Sequence, residues 1–250
     1  MGDKEKIIAL FNKNVKGKRA DTSRMNVDHD GKGGHWLERM MGVKANASNS
    51  PDIYGYEMKN YTKGATTFGD WSASYYIFRR HPIYKLTKDE FLSFFGVPNA
   101  NKNNRLSWSG KVVPKIDAIN QFGQTMVVDS NCNIDIKYFF EHDQRENKFS
   151  LIPDNLQKNN LTLAHWSREK LKDKVESKFN NKGWFKCIKN KDDIYESIVF
   201  GDPISFEIWI QFVKSGNVYL DSAMYHGNNR LYSQWRASKS FWDNLVTSRY

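Results

Sequence analysis

The chain has 250 residues, 39% hydrophobic and 14% aromatic, a composition that supports a buried core and excludes a disordered polypeptide. Lys and Arg number 38 against 28 Asp and Glu, and the resulting net charge of +10 favours a polyanionic partner, either nucleic acid or an anionic membrane. No apolar run approaches the roughly 18 residues of a membrane span. The opening M-G-D-K-E-K carries no apolar signal core and has Lys6 where a myristoylation signal has Ser or Thr. Cys132 and Cys187 are too few for a disulfide framework or a Cys-rich zinc site, so a reducing cytoplasmic setting is expected.

Taken in order, residues 3–16 place Ile7, Phe11 and Val15 four apart and predict an amphipathic helix opened by Asp3. Residues 16–34, with His29, read as a polar, glycine-rich loop. A short helix is expected over 35–41, capped by Gly42, with Trp36, Leu37, Met40 and Met41 as its apolar face and Glu38 among them. Residues 53–61 read as one strand or a hairpin, on which Glu57 and Lys59 share a face. In 61–81, hydroxyl and basic residues are interleaved with aromatics. This composition suits contact with a DNA backbone through Lys63, Thr66, Thr67, Arg79 and Arg80, or equally a loop followed by a half-buried strand.

Thr87 and Glu90 form a capping box for a helix ending near Phe95. A surface turn follows at 99–104, then strands at 108–113, 125–129 and 134–141, the last two joined through a turn at 130–133. Residues 163–179 predict a helix, with Trp166, Leu171, Val175 and Phe179 on its apolar side and lysines opposite. Strands are expected at 184–188, 195–200 and 205–213, where Phe206, Ile208, Ile210 and Phe212 alternate. The third strand would form a hairpin with 218–220 through Gly216-Asn217.

Pro51-Asp52, four intervening residues, then Glu57-Met58-Lys59 carry the chemistry. Two carboxylates can hold Mg²⁺ while leaving waters on the metal. The metal polarises a phosphoryl oxygen and activates water, and a lysine on the same strand face can orient that water. The bland alternative is a solvated turn and a strand edge carrying ordinary surface charge.

The wider pattern is Gly31-x-x-Gly34-x-x-Leu37-Glu38, then Gly42, Pro51-Asp52 and Gly55-x-Glu57-Met58-Lys59. It resembles the signature of the MutH-like endonucleases, a group that includes a mismatch-repair nicking enzyme and type II restriction enzymes such as MvaI and BcnI. The resemblance implies a mixed α/β (α+β) PD-(D/E)XK core, a single nuclease domain over 1–250 with two lobes and DNA in a cleft between them. It implies Asp52 and Glu57 as ligands of Mg²⁺, Lys59 as the catalytic lysine and Glu38 as an auxiliary acid, with the catalytic lobe built around 31–81. The short Asp52–Glu57 spacer and the divergent C-terminal half favour the restriction branch. That branch implies cleavage at CC(A/T)GG by a monomer, in a bacterial host with a cognate DNA methyltransferase.

Recognition is expected in the acid-free stretch 222–242. Arg230 and Arg236 suit guanine, and Asn228 and Asn229 suit adenine. Tyr225 and His226 complete a loop that could enter a groove, and Lys239 suits phosphate. A repair-type nicking enzyme and a non-catalytic DNA-binding protein remain as rivals. An HNH-type site around His226 lacks an upstream His partner. His35 and His165, each beside helix aromatics, read as structural.

Overall fold

The computed structural model describes residues 1–23, 32–43, 49–60, 62, 64–79 and 83–250. His29, Gly31, Lys63 and Arg80 lie outside the described residues. The fold is mixed α/β. In order it contains α1 (Asp3–Asn14), α2 (Lys32–Met41), β1 (Glu57–Lys59), β2 (Thr66–Asp70), β3 (Tyr75–Tyr76), α3 (Lys88–Phe95) and β4 (Val97–Asn99). Then come β5 (Arg105–Trp108), β6 (Phe122–Val128), β7 (Ile134–Asp143), α4 (Lys148–Leu151), β8 (Leu161–Trp166), α5 (Arg168–Phe179) and β9 (Trp184–Lys189). The chain closes with β10 (Tyr195–Gly201), α6 (Phe206–Lys214), β11 (Val218–Asp221), β12 (Met224–Tyr225), β13 (Gln234–Ala237), α7 (Lys239–Asn244) and β14 (Val246–Arg249).

The chain divides into two compact units, one of residues 1–66, 173–208 and 238–250, the other of 67–172 and 209–237. The first is built on a four-stranded sheet in the order β1-β9-β10-β14. β1 runs parallel to β9, in the register Glu57↔Trp184, Met58↔Phe185 and Lys59↔Lys186, and the other pairs are antiparallel. Strand alternation sends Met58 and Phe185 to one face. There they join Ile7, Phe11 and Val15 from the α1 segment, Trp36, Leu37 and Met41 from α2, and Cys187, Tyr195 and Phe200. Trp36 stacks on Tyr195 at 5.7 Å. Burial raises the Cys187 thiol far above its ordinary range, so this cysteine packs rather than reacts.

The second unit carries three sheets, ordered β11-β13-β2, β12-β5-β4 and β3-β8-β7-β6. Its core holds an edge-to-face chain of Trp71, Trp209, Trp235 and Trp166, with ring centroids 5.3 to 5.7 Å apart. Such pairs add roughly 0.5–1.5 kcal/mol each beyond their burial. Gln124, fully buried, accepts from Trp108 Nε1 at 2.8 Å and donates to the Phe95 carbonyl at 3.0 Å, so both ends of its amide are satisfied.

Several expected elements hold: α1, α2 followed by Gly42, and α3 with the Thr87–Glu90 capping box complete. Three differ. Residues 206–214 form helix α6, not a strand. Trp209, Ile210 and Val213 are buried while Ile208 is 45% exposed, which is the helical period, and the Ser205 hydroxyl accepts from the Ile208 amide. Gly216-Asn217 therefore follows a helix, and β11 pairs with β13 instead of making the expected hairpin. The helix expected from 163 begins only at Arg168, because Leu161–Trp166 pair with β7 as a strand. The strand expected at 108–113 lies at Arg105–Trp108 and gives way to a 3₁₀ turn over Gly110–Val112.

The second unit contains one buried ion pair that can be tested. Asp143 is 2% exposed, and its carboxylate accepts from Arg145 at 2.6 and 2.9 Å and from the Tyr138 hydroxyl at 2.9 Å. Burial acts to raise this carboxyl, but the Arg145 hydrogen bonds outweigh it and hold it below the ordinary carboxylate range. Asp143→Ala is expected to cost about 3 kcal/mol in urea unfolding, since it leaves the half-buried Arg145 guanidinium and the Tyr138 hydroxyl without their acceptor. A depressed acid stabilises above its unfolded pKa. The wild-type advantage should therefore be complete above about pH 4 and be lost as pH falls through the lower folded value.

Candidate active site

Pro51 delivers Asp52 to a tight turn in which Ile53 and Tyr56 exchange backbone hydrogen bonds of 3.1 and 2.9 Å. Tyr54 and Gly55, at φ 49° and 81°, both lie in the left-handed region, as in a type I′ turn. Glycine is suited to that conformation and Tyr54 is held there by its neighbours. The turn folds Asp52 back over the strand it precedes, and Asp52 Oδ2 accepts the Met58 N–H at 2.8 Å. Upstream, Gly34 of α2 lies so close to Asn60 that a Cβ would meet Asn60 Nδ2 at 2.7 Å. Part of the glycine pattern is therefore explained by helix-to-strand packing.

Glu57 and Lys59 project together from the face of β1 opposite Met58 and are 2% and 6% exposed. Lys59 Nζ lies 2.9 Å from Glu57 Oε1. Lys178, near the end of α5, approaches the same oxygen at 3.2 Å. Glu57 Oε2 is buried and has no hydrogen-bond partner among the described residues. Phe179 and Trp242 cover the Lys59 ammonium, with ring centroids 4.8 and 5.9 Å away. Burial holds Lys59 below the ordinary lysine range, against the pull of Glu57. Burial, and then the charge of Glu57, raise Asp52 to about 6.

The structure thus brings Asp52, Glu57 and Lys59 together. Glu38 is half-buried, with Oε2 3.2 Å from His35 Nδ1 on its own helix. Among the described residues no group of three or more His, Cys, Asp or Glu side chains is arranged around a common metal position. The pair Asp52 and Glu57 nevertheless fits a hard divalent cation. It offers two adjacent carboxylates and a buried oxygen without a donor, and Mg²⁺ is commonly bound by one or two carboxylates, with waters and substrate phosphate completing its shell.

Lys178 was not singled out in the sequence, where it is one of several lysines in a polar helix. Lys186, in register with Lys59, was missed as well. It is 1% exposed on its side chain and pairs with Asp243 at 3.3 Å. Asp243 also holds Lys239, at 2.5 Å.

Residues 15–250 match the LlaMI restriction endonuclease family. The chain belongs to that family. It is 49% identical to the type II restriction enzyme ScrFI of Lactococcus lactis subsp. cremoris, over 98% of this chain and 97% of that protein. Its fold is similar to that of restriction endonuclease MvaI in a complex with cognate DNA, with a TM-score of 0.60, 12% identity and coverage of 99% and 95% of the two chains. The protein is a type II restriction endonuclease, cleaving double-stranded DNA at a specific sequence.

The residues expected to read and hold DNA fall into distinct environments. His226, Asn229 and Arg230 of the endonuclease are exposed, and Asn228 is half-buried with its amide donating to the Tyr225 hydroxyl at 2.7 Å. His226 Nε2 lies 3.5 Å from Asp89, Arg230 pairs with Asp70 at 3.4 Å and Arg236 with Asp221 at 3.2 Å. Arg79 is exposed and Thr67 half-buried, whereas Thr66 is 5% exposed with its hydroxyl 2.8 Å from that of Thr62. His165 pairs with Asp135 at 2.6 Å, in keeping with a structural role.

The like-charge contact in the site gives a direct test. Glu57→Gln removes the neighbouring negative charge and frees Lys59 and Lys178 to act on Asp52. The Asp52 pKa should therefore fall from about 6, as followed by carboxyl-carbon NMR titration. An unchanged or higher value would contradict the geometry.

Proposed function

We propose that the endonuclease hydrolyses DNA phosphodiesters at Asp52, Glu57 and Lys59, with Asp52 and Glu57 as the ligands of Mg²⁺. The reading rests on one observation: Asp52 folds back onto β1 beside the buried pair Glu57 and Lys59, and Glu57 Oε2 is left without a donor among the described residues. When bound, the cation supplies Lewis-acid activation of the phosphoryl group and of water. Lys59, oriented by Glu57 and held beneath Phe179 and Trp242, positions the attacking water and offsets charge developing on the phosphate. Lys178 keeps a second positive charge against Glu57. Glu38 serves as an auxiliary acid reached from α2.

Base reading is assigned to Tyr225, His226, Asn228, Asn229, Arg230 and Arg236. Backbone contacts are assigned to Lys63, Thr66, Thr67, Arg79, Arg80 and Lys239. The enzyme acts as a monomer in a bacterial cytoplasm, beside a methyltransferase that protects host DNA, and CC(A/T)GG is the first target to test. Among the described residues no helix is long and apolar enough to cross a membrane.

Incubating a sequenced plasmid with the protein should give discrete fragments with Mg²⁺ and none with EDTA. Asp52→Asn and Lys59→Ala should each slow cleavage by about 10²–10³-fold or more while DNA binding changes little. Normal cutting by either variant would remove the site assignment. Fragment ends away from CC(A/T)GG would replace the target and leave the chemistry intact.

A further inference from the structure

We propose that Arg105 is a further specificity-determining residue, one whose guanidinium reads a guanine in the recognition sequence. Recognition is expected in 222–242, and Arg105 lies far outside that stretch. Strand pairing nevertheless brings it there. Arg105 opens β5, and β5 pairs antiparallel with β12 through Ser107↔Tyr225 and Trp108↔Met224. The His226 N–H donates to the Leu106 carbonyl at 2.9 Å, so the start of the candidate loop is fastened to the residue after Arg105.

The side chain is held as a reader would be. The Arg105 guanidinium carbon lies over the Tyr225 ring, 3.4 Å from its centroid. Tyr225 is itself fixed, because its hydroxyl accepts from Asn228 and its carbonyl from Lys88 Nζ at 3.1 Å. The Asn228 side chain in turn accepts the Arg230 N–H at 2.8 Å. The guanidinium is therefore held in place before any ligand arrives, which reduces the ordering cost of binding.

Its donors are the second observation. Arg145, Arg230 and Arg236 each engage a carboxylate. Arg105 makes no ion pair or hydrogen bond through its side chain among the described residues, and its Nε is buried without an acceptor. A buried donor left unpaired is unfavourable and rare in folded proteins. The buried Nε is closed to a ligand, but the terminal Nη1 and Nη2 groups are unpaired and not buried, and that edge of the guanidinium, beside the candidate recognition loop, matches the O6/N7 edge of guanine in the major groove. A backbone phosphate offers the same acceptor chemistry, and the test separates the two.

The proposal rests on the reading that the loop from Tyr225 to Arg230 meets DNA bases. The experiment uses the full-length enzyme and duplex oligonucleotides carrying its own mapped site and every single-base variant of it. Arg105→Gln and Arg105→Lys are compared with wild type for kcat/KM on each duplex and for the salt dependence of binding. Arg230→Ala and His226→Ala run in parallel. Base reading predicts a loss of about ten- to a hundred-fold for Arg105→Gln on the mapped site. The loss should come with relaxed discrimination at one G·C pair and an unchanged salt slope, and Arg105→Lys should not restore it. A uniform loss on every duplex with a shallower salt slope, rescued by lysine, would make Arg105 a phosphate contact and overturn the proposal. So would unchanged preference, with or without a lowered melting temperature. If Arg230→Ala and His226→Ala shift the preference and Arg105 variants do not, only this proposal fails. If none of the four variants shifts it, the reading of the loop fails too.

Discussion

Strand β1 is three residues long, and the alternation of those three residues orders the whole of the first unit. Met58 enters the apolar cluster beneath α1 and α2, while Glu57 and Lys59 take the opposite face. A slip of one residue against β9 would drive two charges into that cluster and lift Met58 into the polar site. So short a strand cannot hold its register by length. The bonds around it do so: Asp52 on the Met58 N–H, the Gly183 carbonyl on the Glu57 N–H at 3.0 Å, and the turn at Tyr54-Gly55. The residue that pins the strand is thus also one of the acids of the site.

Gathering two carboxylates and two ammonium groups in one largely desolvated site, with Glu57 and Lys59 buried and Asp52 and Lys178 half-buried, is unfavourable unless each is compensated. Compensation here is uneven. Lys59 and Lys178 share Oε1 of Glu57, leaving Oε2 unmatched among the described residues, and Asp52 is pushed up to about 6 by burial and by Glu57. A protein selected for stability alone would relieve this. In a member of a family of DNA-cleaving enzymes, such uneven compensation accords with strain kept for chemistry.

The parts of this site that were legible in the sequence are local ones. Asp52, Glu57 and Lys59 fall within one turn and one strand, so residue types and spacing suffice. Lys178 reaches Glu57 only through tertiary packing of α5, and nothing distinguishes it from its lysine neighbours before that. At α6, apolar residues occupy both parities, so Phe206, Ile208, Ile210 and Phe212 satisfy a period of two while Phe206, Trp209, Ile210 and Val213 satisfy the helical period. Burial chose the second, with Ile208 left outside. The stretch 222–242 shows the same limit in its charges. It contains no acid of its own, yet Asp70, Asp89 and Asp221 meet Arg230, His226 and Arg236 from other strands and helices. Arg105, contributed by β5, is a cation at this loop with no side-chain hydrogen bond or ion pair among the described residues.

The central claim is that Asp52 and Glu57 are held in mutual repulsion that a divalent cation relieves. Thermal unfolding of wild type and Asp52→Asn, each with and without MgCl₂ at neutral pH, tests it directly. A raised carboxyl contributes its full stabilisation below its unfolded pKa and loses it as pH rises through the folded value of about 6, so at neutral pH the ionised Asp52 is a burden. The account predicts that wild type melts higher with Mg²⁺. It predicts that Asp52→Asn without Mg²⁺ melts at or above wild type and gains nothing from the cation. Equal stabilisation of both proteins by Mg²⁺, or a marked loss of stability in Asp52→Asn, would contradict it.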